Sequence, residues 1–124
     1  MHEKYFGTVV HGFGRGKRFN FPTVNIELNN SDLYIEKGVY VAEVTLNNCL
    51  YKGMLYVGTR PTLDLQEITI EIHILEFDQE VYKKQISFQI LQKIREEIHF
   101  NSVEKLVEQL HRDKEMVKKY FLSP

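Results

Sequence analysis

The chain has 124 residues and a mass of 14.7 kDa, the size of one ordinary domain. Sixteen Lys and Arg against seventeen Asp and Glu give a net charge of −1, which argues against a dedicated nucleic-acid binder. The single cysteine, Cys49, excludes an intramolecular disulfide framework and a cysteine-based zinc cluster. Because no apolar run has the roughly 20 residues of a membrane helix and no signal-peptide pattern is present, we expect a cytoplasmic protein without a membrane partner.

The first two thirds of the sequence have the patterns of short β-strands. Asn47-Asn48 suits a tight hairpin, because asparagine tolerates left-handed backbone angles. The segment 59–62 contains a proline and is expected to end the strand before it. In the clearest alternating segment, isoleucines share one face and Glu71 and His73 lie on the other. Strands are predicted over residues 5–11, 38–46, 49–57, 68–77 and 85–94.

The last fifth of the sequence changes to helical spacing. Apolar residues recur at about 3.6-residue intervals and predict a C-terminal helix over about 102–121. Asn101 and Glu104 resemble a capping box at its start, and Asp113 is expected at the edge of its apolar stripe. Five or six short strands followed by one helix predict a single domain over 1–124, an antiparallel barrel or sandwich.

A glycine cluster near the N-terminus could bind phosphate. Gly12, Gly14 and Gly16 stand at every second position, with Lys17 among the neighbouring cations. Glycines let backbone amides approach a ligand closely, and the cations favour an anion. The alternative is a flexible, basic hairpin loop.

Thr23 and Asn25 could bind a metal ion. Two positions apart on an extended segment, they project a hydroxyl and an amide oxygen from the same face. Magnesium accepts such neutral oxygens alongside phosphate oxygens. The alternative is that both side chains hydrogen-bond within a turn after the proline.

Further along the chain, a carboxylate and an arginine–aromatic pair are candidates for the chemistry. Glu71 could accept a proton from a substrate hydroxyl, or it could be a solvated strand residue. His73 is expected to be a surface residue or to support the site from behind. Arg95 and Phe100 could hold a planar, polar ligand, or they could form a charged connector with Phe100 packed under the helix.

The order of these segments resembles the riboflavin kinase family, from about residue 5 to about residue 121. The resemblance rests on Gly7-Thr-Val-Val-His-Gly-Phe-Gly-Arg-Gly, Phe21-Pro-Thr-Val-Asn25, Gly38-Val-Tyr, Gly58-Thr-Arg-Pro-Thr62, Ile70-Glu-Ile-His-Ile74 and Ile94-Arg-Glu-Glu-Ile-His-Phe100. It implies an all-β fold, a six-stranded antiparallel Greek-key barrel closed by one C-terminal α-helix. It also implies transfer of the ATP γ-phosphoryl group to the 5′-hydroxyl of riboflavin, giving FMN and ADP.

The resemblance further implies a role for each candidate residue. Glu71 would be the catalytic carboxylate, and Thr23 and Asn25 would bind Mg²⁺, or another divalent cation, and the nucleotide phosphates. Arg95 and Phe100 would lie along the flavin site. ATP would be the co-substrate, and we expect a monomer without a nucleic-acid partner. The other nucleotide-binding residues would be Gly12, Gly14, Gly16, Lys17 and Tyr82.

Four positions depart from the family pattern, and one of them, Val24 in place of the common alanine, is a small change in bulk. Asn20, Tyr56 and Ile98 stand where the family mostly has a glycine, an asparagine and a basic residue, and we expect them to affect flavin affinity and loop geometry. The alternative function is a non-catalytic flavin-binding or regulatory module on the same barrel. The sequence leaves open whether the chain is a stand-alone kinase or an excised domain of a bifunctional FAD synthetase.

Overall fold

The computed structural model of the protein describes residues 3–11, 21–30, 33–61 and 66–122. Within these ranges six antiparallel strands close into a barrel in the order β1-β2-β5-β4-β3-β6. Strands β3, β4 and β5 form a meander and β6 returns to pair with β3, which is a Greek-key arrangement. The expected barrel with one C-terminal helix is confirmed. The elements are β1 (Lys4–Val10), β2 (Val24–Leu28), β3 (Gly38–Leu46), β4 (Cys49–Pro61), β5 (Gln66–Ile74), β6 (Gln85–Arg95) and α1 (Val103–Leu122).

The interior of the barrel is filled by alternate residues of its strands. Ile70, Ile72 and Ile74 of β5 pack there with Leu55 and Phe88, as the alternating pattern predicts. A second apolar cluster lies between the barrel and α1. It contains Val41 of β3, Met54 of β4, Leu110 and Val117 of the helix, and Leu75, which directly follows β5. Strands β3 and β4 are therefore covered on both faces, and α1 is held against the outside of the barrel.

The hairpin between β3 and β4 agrees with the prediction, because Asn47 and Asn48 have φ values of 53° and 64°. The expected end of the preceding strand at Val57 is wrong, since β4 continues to Pro61. Proline lacks an N–H to donate to the ladder, but at the last residue of the strand its effect is confined to the end of the ladder.

Two details of α1 differ from the expectation. The backbone N–H of Lys105 donates to Ser102 Oγ at 3.2 Å, so Ser102 caps the helix in place of Asn101. Asp113 lies on the buried face of α1, and not at the edge of the apolar stripe. No helix in the described ranges is long and apolar enough to cross a membrane.

Candidate active site

Two cavities open on either side of Thr23. The first has a volume of 390 Å³ and is lined by the ends of β1, β2 and β5 and by the 77–82 connector. The second has a volume of 240 Å³ and is lined by β3, β4, β5, the end of β6 and the start of α1. Thr23 contributes to both linings, while Asn25 lies on the first cavity and Glu71 on the second. The polar candidates therefore meet at the boundary between the two cavities.

A hydrogen bond joins the two segments that carry these candidates. The Thr23 hydroxyl donates to Glu71 Oε1 at 2.9 Å. Asn25 is the direct ladder partner of Glu71 where β2 pairs with β5, and directly paired residues point to the same face of a sheet. Pairing of β2 with β5 thus brings Thr23, Asn25 and Glu71 together, although 48 residues separate Thr23 from Glu71 along the chain.

His73 is buried beside this group, so the expectation of a surface position is wrong, and the alternative of a supporting position stays a prediction. Its Nδ1 lies 2.8 Å from the carbonyl oxygen of Pro22, and because a carbonyl only accepts, Nδ1 carries the proton and donates. Burial lowers the pKa of His73, the hydrogen bond to Pro22 opposes that shift, and the nearby charge of Lys114 adds to it. The imidazole is therefore held in its neutral form.

An aromatic pair stands at the first cavity. The rings of His11 and Tyr82 stack with centroids 3.7 Å apart and planes 21° apart, and both residues line the cavity. Lys83 Nζ lies 5.5 Å from the centroid of the Tyr82 ring. The sequence suggested Tyr82 only through the family resemblance and missed His11 altogether, because its stacking partner is distant in the chain.

Arg95 enters the second cavity from the end of β6 and is fixed by hydrogen bonds. Its Nε and Nη2 donate to the two carboxylate oxygens of Asp113 at 2.9 and 2.7 Å, and its Nη1 donates to the carbonyl oxygen of Glu96 at 3.0 Å. Gln109 also donates to Asp113 at 2.9 Å. The Arg95 guanidinium carbon lies 6.0 Å from the centroid of the Phe100 ring, which lines the same cavity.

No role for Asp113 in the site was predicted from the sequence, although an acidic residue within an apolar helical stripe was the available signal. Its side chain is 1% exposed and that of Arg95 is 15% exposed. A carboxylate buried to this degree needs a charged partner, and here the partner comes from another element.

Tyr56 and Glu97 also belong to the polar lining of the second cavity. The Tyr56 hydroxyl donates to the sulfur of Met54 at 3.4 Å. Burial raises the pKa of Tyr56 well above its usual range, the carboxylate of Asp113 adds to this shift, and Arg95 opposes it. The phenol therefore stays protonated.

The Glu97 carboxylate packs closely against the backbone of Gly58. A Cβ at position 58 would lie 2.7 Å from a Glu97 carboxylate oxygen, so any larger residue there would displace the Glu97 side chain. Ile98 also lines the second cavity.

Several predicted site residues lie outside the described residues, and their roles stay predictions. They belong to the glycine-rich segment and the residues that follow it: Gly12, Gly14, Gly16, Lys17 and Asn20.

The fold and the two adjoining cavities define a small barrel domain with a polar site at the boundary. A family model described as Flavokinase, riboflavin kinase, matches residues 2–121. The chain belongs to the riboflavin kinase family, as the resemblance predicted.

Curated relatives are considerably longer than this chain. A bifunctional riboflavin kinase/FMN adenylyltransferase of Bacillus subtilis is 36% identical over 124 residues, which cover 96% of this chain and 39% of the relative. An RNA-binding riboflavin kinase, also of Bacillus subtilis, is 37% identical over 116 residues, which cover 93% of this chain and 50% of the relative. The chain thus spans 39% of the first relative and 50% of the second.

Solved structures have the same fold. A riboflavin kinase from Trypanosoma brucei superposes with a TM-score of 0.70 at 24% identity, covering 98% of this chain and 80% of that chain. A structure from Streptococcus pneumoniae, described as a macrolide-efflux protein, superposes with a TM-score of 0.87 at 35% identity. That comparison covers 93% of this chain and 38% of that chain.

Proposed function

We propose that this chain is an ATP-dependent riboflavin kinase, which transfers the γ-phosphoryl group of ATP to the 5′-hydroxyl of riboflavin and releases FMN and ADP. The observation that carries the proposal is the Thr23–Glu71 hydrogen bond at the boundary of the two cavities. A phosphoryl donor in one cavity and an alcohol in the other would meet at this pair. Membership of the riboflavin kinase family supports the choice of both substrates.

Glu71 is the proposed catalytic residue. The 5′-oxygen of riboflavin attacks the γ-phosphorus, and the carboxylate of Glu71 takes its proton. The bond between the γ-phosphorus and the oxygen that bridges to the β-phosphorus breaks, and ADP leaves with the electron pair. Phosphoryl transfer of this kind depends on positioning and charge neutralisation more than on covalent catalysis, so one base between two binding cavities is sufficient.

Thr23 and Asn25 are the proposed protein ligands of Mg²⁺. Because the Thr23 hydroxyl directs its hydrogen to Glu71, the lone pairs of its oxygen remain available to a cation. The Asn25 amide supplies a second neutral oxygen, and magnesium accepts ligands of this kind together with phosphates and water. When bound with ATP, Mg²⁺ would neutralise part of the charge on the phosphates.

The linings of the two cavities suggest how the substrates are divided between them. In the first cavity, the stacked pair of His11 and Tyr82 offers an aromatic surface for the nucleotide base. In the second, the Arg95 guanidinium and the Phe100 ring match a planar ligand with a polar edge, which suits the flavin ring. The glycine-rich segment 12–17 is proposed to cover the phosphates.

The cellular setting is part of the proposal. We propose a cytoplasmic monomer that acts without a membrane or nucleic-acid partner. The net charge of −1 supports only the last part, the lack of a nucleic-acid partner. A gel-shift titration with RNA tests the last point, because one relative is described as RNA-binding. A complex that forms at physiological salt would contradict it.

The proposal is tested by incubating the purified chain with riboflavin, ATP and Mg²⁺ and separating the flavins by chromatography with fluorescence detection. We expect FMN to form only when both ATP and Mg²⁺ are present. Flavin binding without any FMN formation would refute the kinase and favour a non-catalytic flavin-binding module.

Glu71→Gln is the matched variant for this assay. It keeps an oxygen that can accept from Thr23, but it removes the charge that takes the proton. We expect kcat to fall by about 100-fold or more while MgADP affinity, measured by calorimetry, stays close to wild type. Turnover within a few-fold of wild type would show that Glu71 is not the base.

A further inference from the structure

The residues just before β2 are not held by the barrel ladder. Strand β2 begins at Val24, so the carbonyl of Pro22 lies outside the strand pairing. Its hydrogen-bond partner is the His73 imidazole, whose Nδ1 donates to it at 2.8 Å. Thr23, the next residue, is held by Glu71. Two side chains on the same face of β5 thus hold two consecutive residues of this segment.

The surroundings of His73 keep it away from substrates. The residue is 6% exposed, and its Nε2 is buried with no hydrogen-bond partner among the described residues. The Phe21 ring packs against the imidazole with centroids 5.3 Å apart, and the His111 ring of α1 meets the Phe21 ring edge-on at 4.9 Å. The described residues that line the two cavities do not include His73.

We infer that His73 is a positioning residue for the metal and phosphate site. By holding the Pro22 carbonyl, it fixes the backbone from which the Thr23 hydroxyl reaches both Glu71 and the proposed Mg²⁺. Without this donor, the Pro22 carbonyl would lose the hydrogen bond that fixes its direction, and the backbone could turn there and carry Thr23 with it. The inference rests on the proposed function, because it is Thr23 as a ligand that gives the position its importance.

Three substitutions test the role of the Nδ1 donor. His73→Leu has a similar volume and no donor, while His73→Asn places an amide nitrogen close to the position of Nδ1. His73→Gln carries the same amide one bond further out. We expect the KM for MgATP to rise about tenfold in His73→Leu and His73→Gln, since one hydrogen bond is lost, while His73→Asn recovers most of the wild-type value. The KM for riboflavin should stay within about twofold in all three.

A purely structural role would give a different result. In that case the variants would lower the melting temperature without changing the ratio of the two KM values, and His73→Asn would not differ from His73→Gln. That outcome would overturn the inference. If His73→Leu does not fold, the comparison of Asn with Gln still decides the question, because both carry the same polar group.

Calorimetric titration with MgADP separates this inference from the proposed function. If the wild-type chain forms no FMN, the kinase proposal fails. The positioning role of His73 still stands if MgADP binding weakens in His73→Gln and recovers in His73→Asn. If FMN forms normally but MgADP binds all variants equally well, the kinase stands and the role of His73 is refuted.

Discussion

The hydroxyl of Thr23 has two partners in the proposed reaction, and one oxygen atom can satisfy both. The hydroxyl donates its hydrogen to Glu71, and the lone pairs of its oxygen can coordinate the proposed Mg²⁺. The hydrogen bond also orients the Glu71 carboxylate toward the boundary of the two cavities. Loss of the hydroxyl should therefore disturb metal–nucleotide binding and the position of the base at the same time.

Two substitutions at Thr23 separate the hydroxyl from the bulk of the side chain. Thr23→Val keeps the shape and removes the hydroxyl, and we expect kcat/KM for ATP to fall by about 10- to 100-fold, as for a lost hydrogen bond to a charged group. Thr23→Ser keeps the hydroxyl and should stay within a few-fold of wild type. Steady-state kinetics measures both variants. Equal losses in Val and Ser would mean that the β-branched shape matters and the hydroxyl does not.

At this scale the sequence predicted the chemical character of several residues and missed their pairings. The spacing of Thr23 and Asn25 on an extended segment indicated two oxygens on one face. The Thr23–Glu71 hydrogen bond, the His11–Tyr82 stack and the burial of His73 all depend on contacts between distant parts of the chain. Local periodicity carries no information on such contacts, so only the fold could provide them.

The end of β6 and helix α1 are joined across the second cavity. Between them runs the connector 96–102, whose Glu97, Ile98 and Phe100 line that cavity. The Arg95–Asp113 ion pair links the strand at one end of the connector to the helix at the other. We expect this pair to hold the connector in place and so to shape the proposed flavin site.

Asp113→Asn should leave the Arg95 guanidinium buried without its counter-charge. Loss of one partner of a buried ion pair costs about 3–5 kcal/mol, so we expect the free energy of unfolding in urea to fall by an amount of this order. Riboflavin should bind more weakly as well, in a fluorescence titration at a temperature where the variant is folded. MgADP affinity should change little, because Asp113 does not line the first cavity.

Glu115→Gln on the same helix is the control for Asp113→Asn. Glu115 pairs with Lys118 at 3.7 Å on the exposed side of α1, where an ion pair contributes little to stability. We expect the unfolding curve and the riboflavin affinity of the Glu115→Gln variant to match those of the wild type. If the two variants behave alike, the buried pair has no special role in the fold or in the cavity.

The elements themselves could be predicted well where the pattern is local. Alternation in β5 and the Asn47-Asn48 turn are decided by nearest neighbours, and both agree with the structure. The prediction that Asp113 lies at the edge of the apolar stripe was wrong, because an acidic side chain is rarely buried unless it is paired. Its burial depends on Arg95, which belongs to a different element.

At the scale of the whole molecule, barrel closure decides where the two cavities meet. β1 pairs with both β2 and β6, and β2 pairs with β5, so the start of β2 is brought against the middle of β5. The strand patterns alone left a barrel and a sandwich open, and the family resemblance chose between them. Pairing between strands far apart in sequence has no local signal, which explains why strand order required more than periodicity.

The barrel brings few protein ligands to the proposed Mg²⁺ site. The described residues contain no group of three or more His, Cys, Asp or Glu side chains that could hold one, and the proposed ligands are two neutral oxygens from Thr23 and Asn25. Magnesium keeps several waters and takes much of its coordination from substrate phosphates in sites of this type. We therefore expect Mg²⁺ binding to depend on the nucleotide.

Calorimetric titrations of Mg²⁺ with and without ADP test this dependence. Without ADP we expect no heat beyond dilution at submillimolar Mg²⁺, and with ADP we expect saturable binding. Asn25→Asp is the informative variant, because it adds a charged oxygen at the ladder position opposite Glu71 and should create Mg²⁺ binding without nucleotide. Tight Mg²⁺ binding to the wild-type chain alone would contradict the two-oxygen site, since it would require charged ligands that Thr23 and Asn25 do not provide.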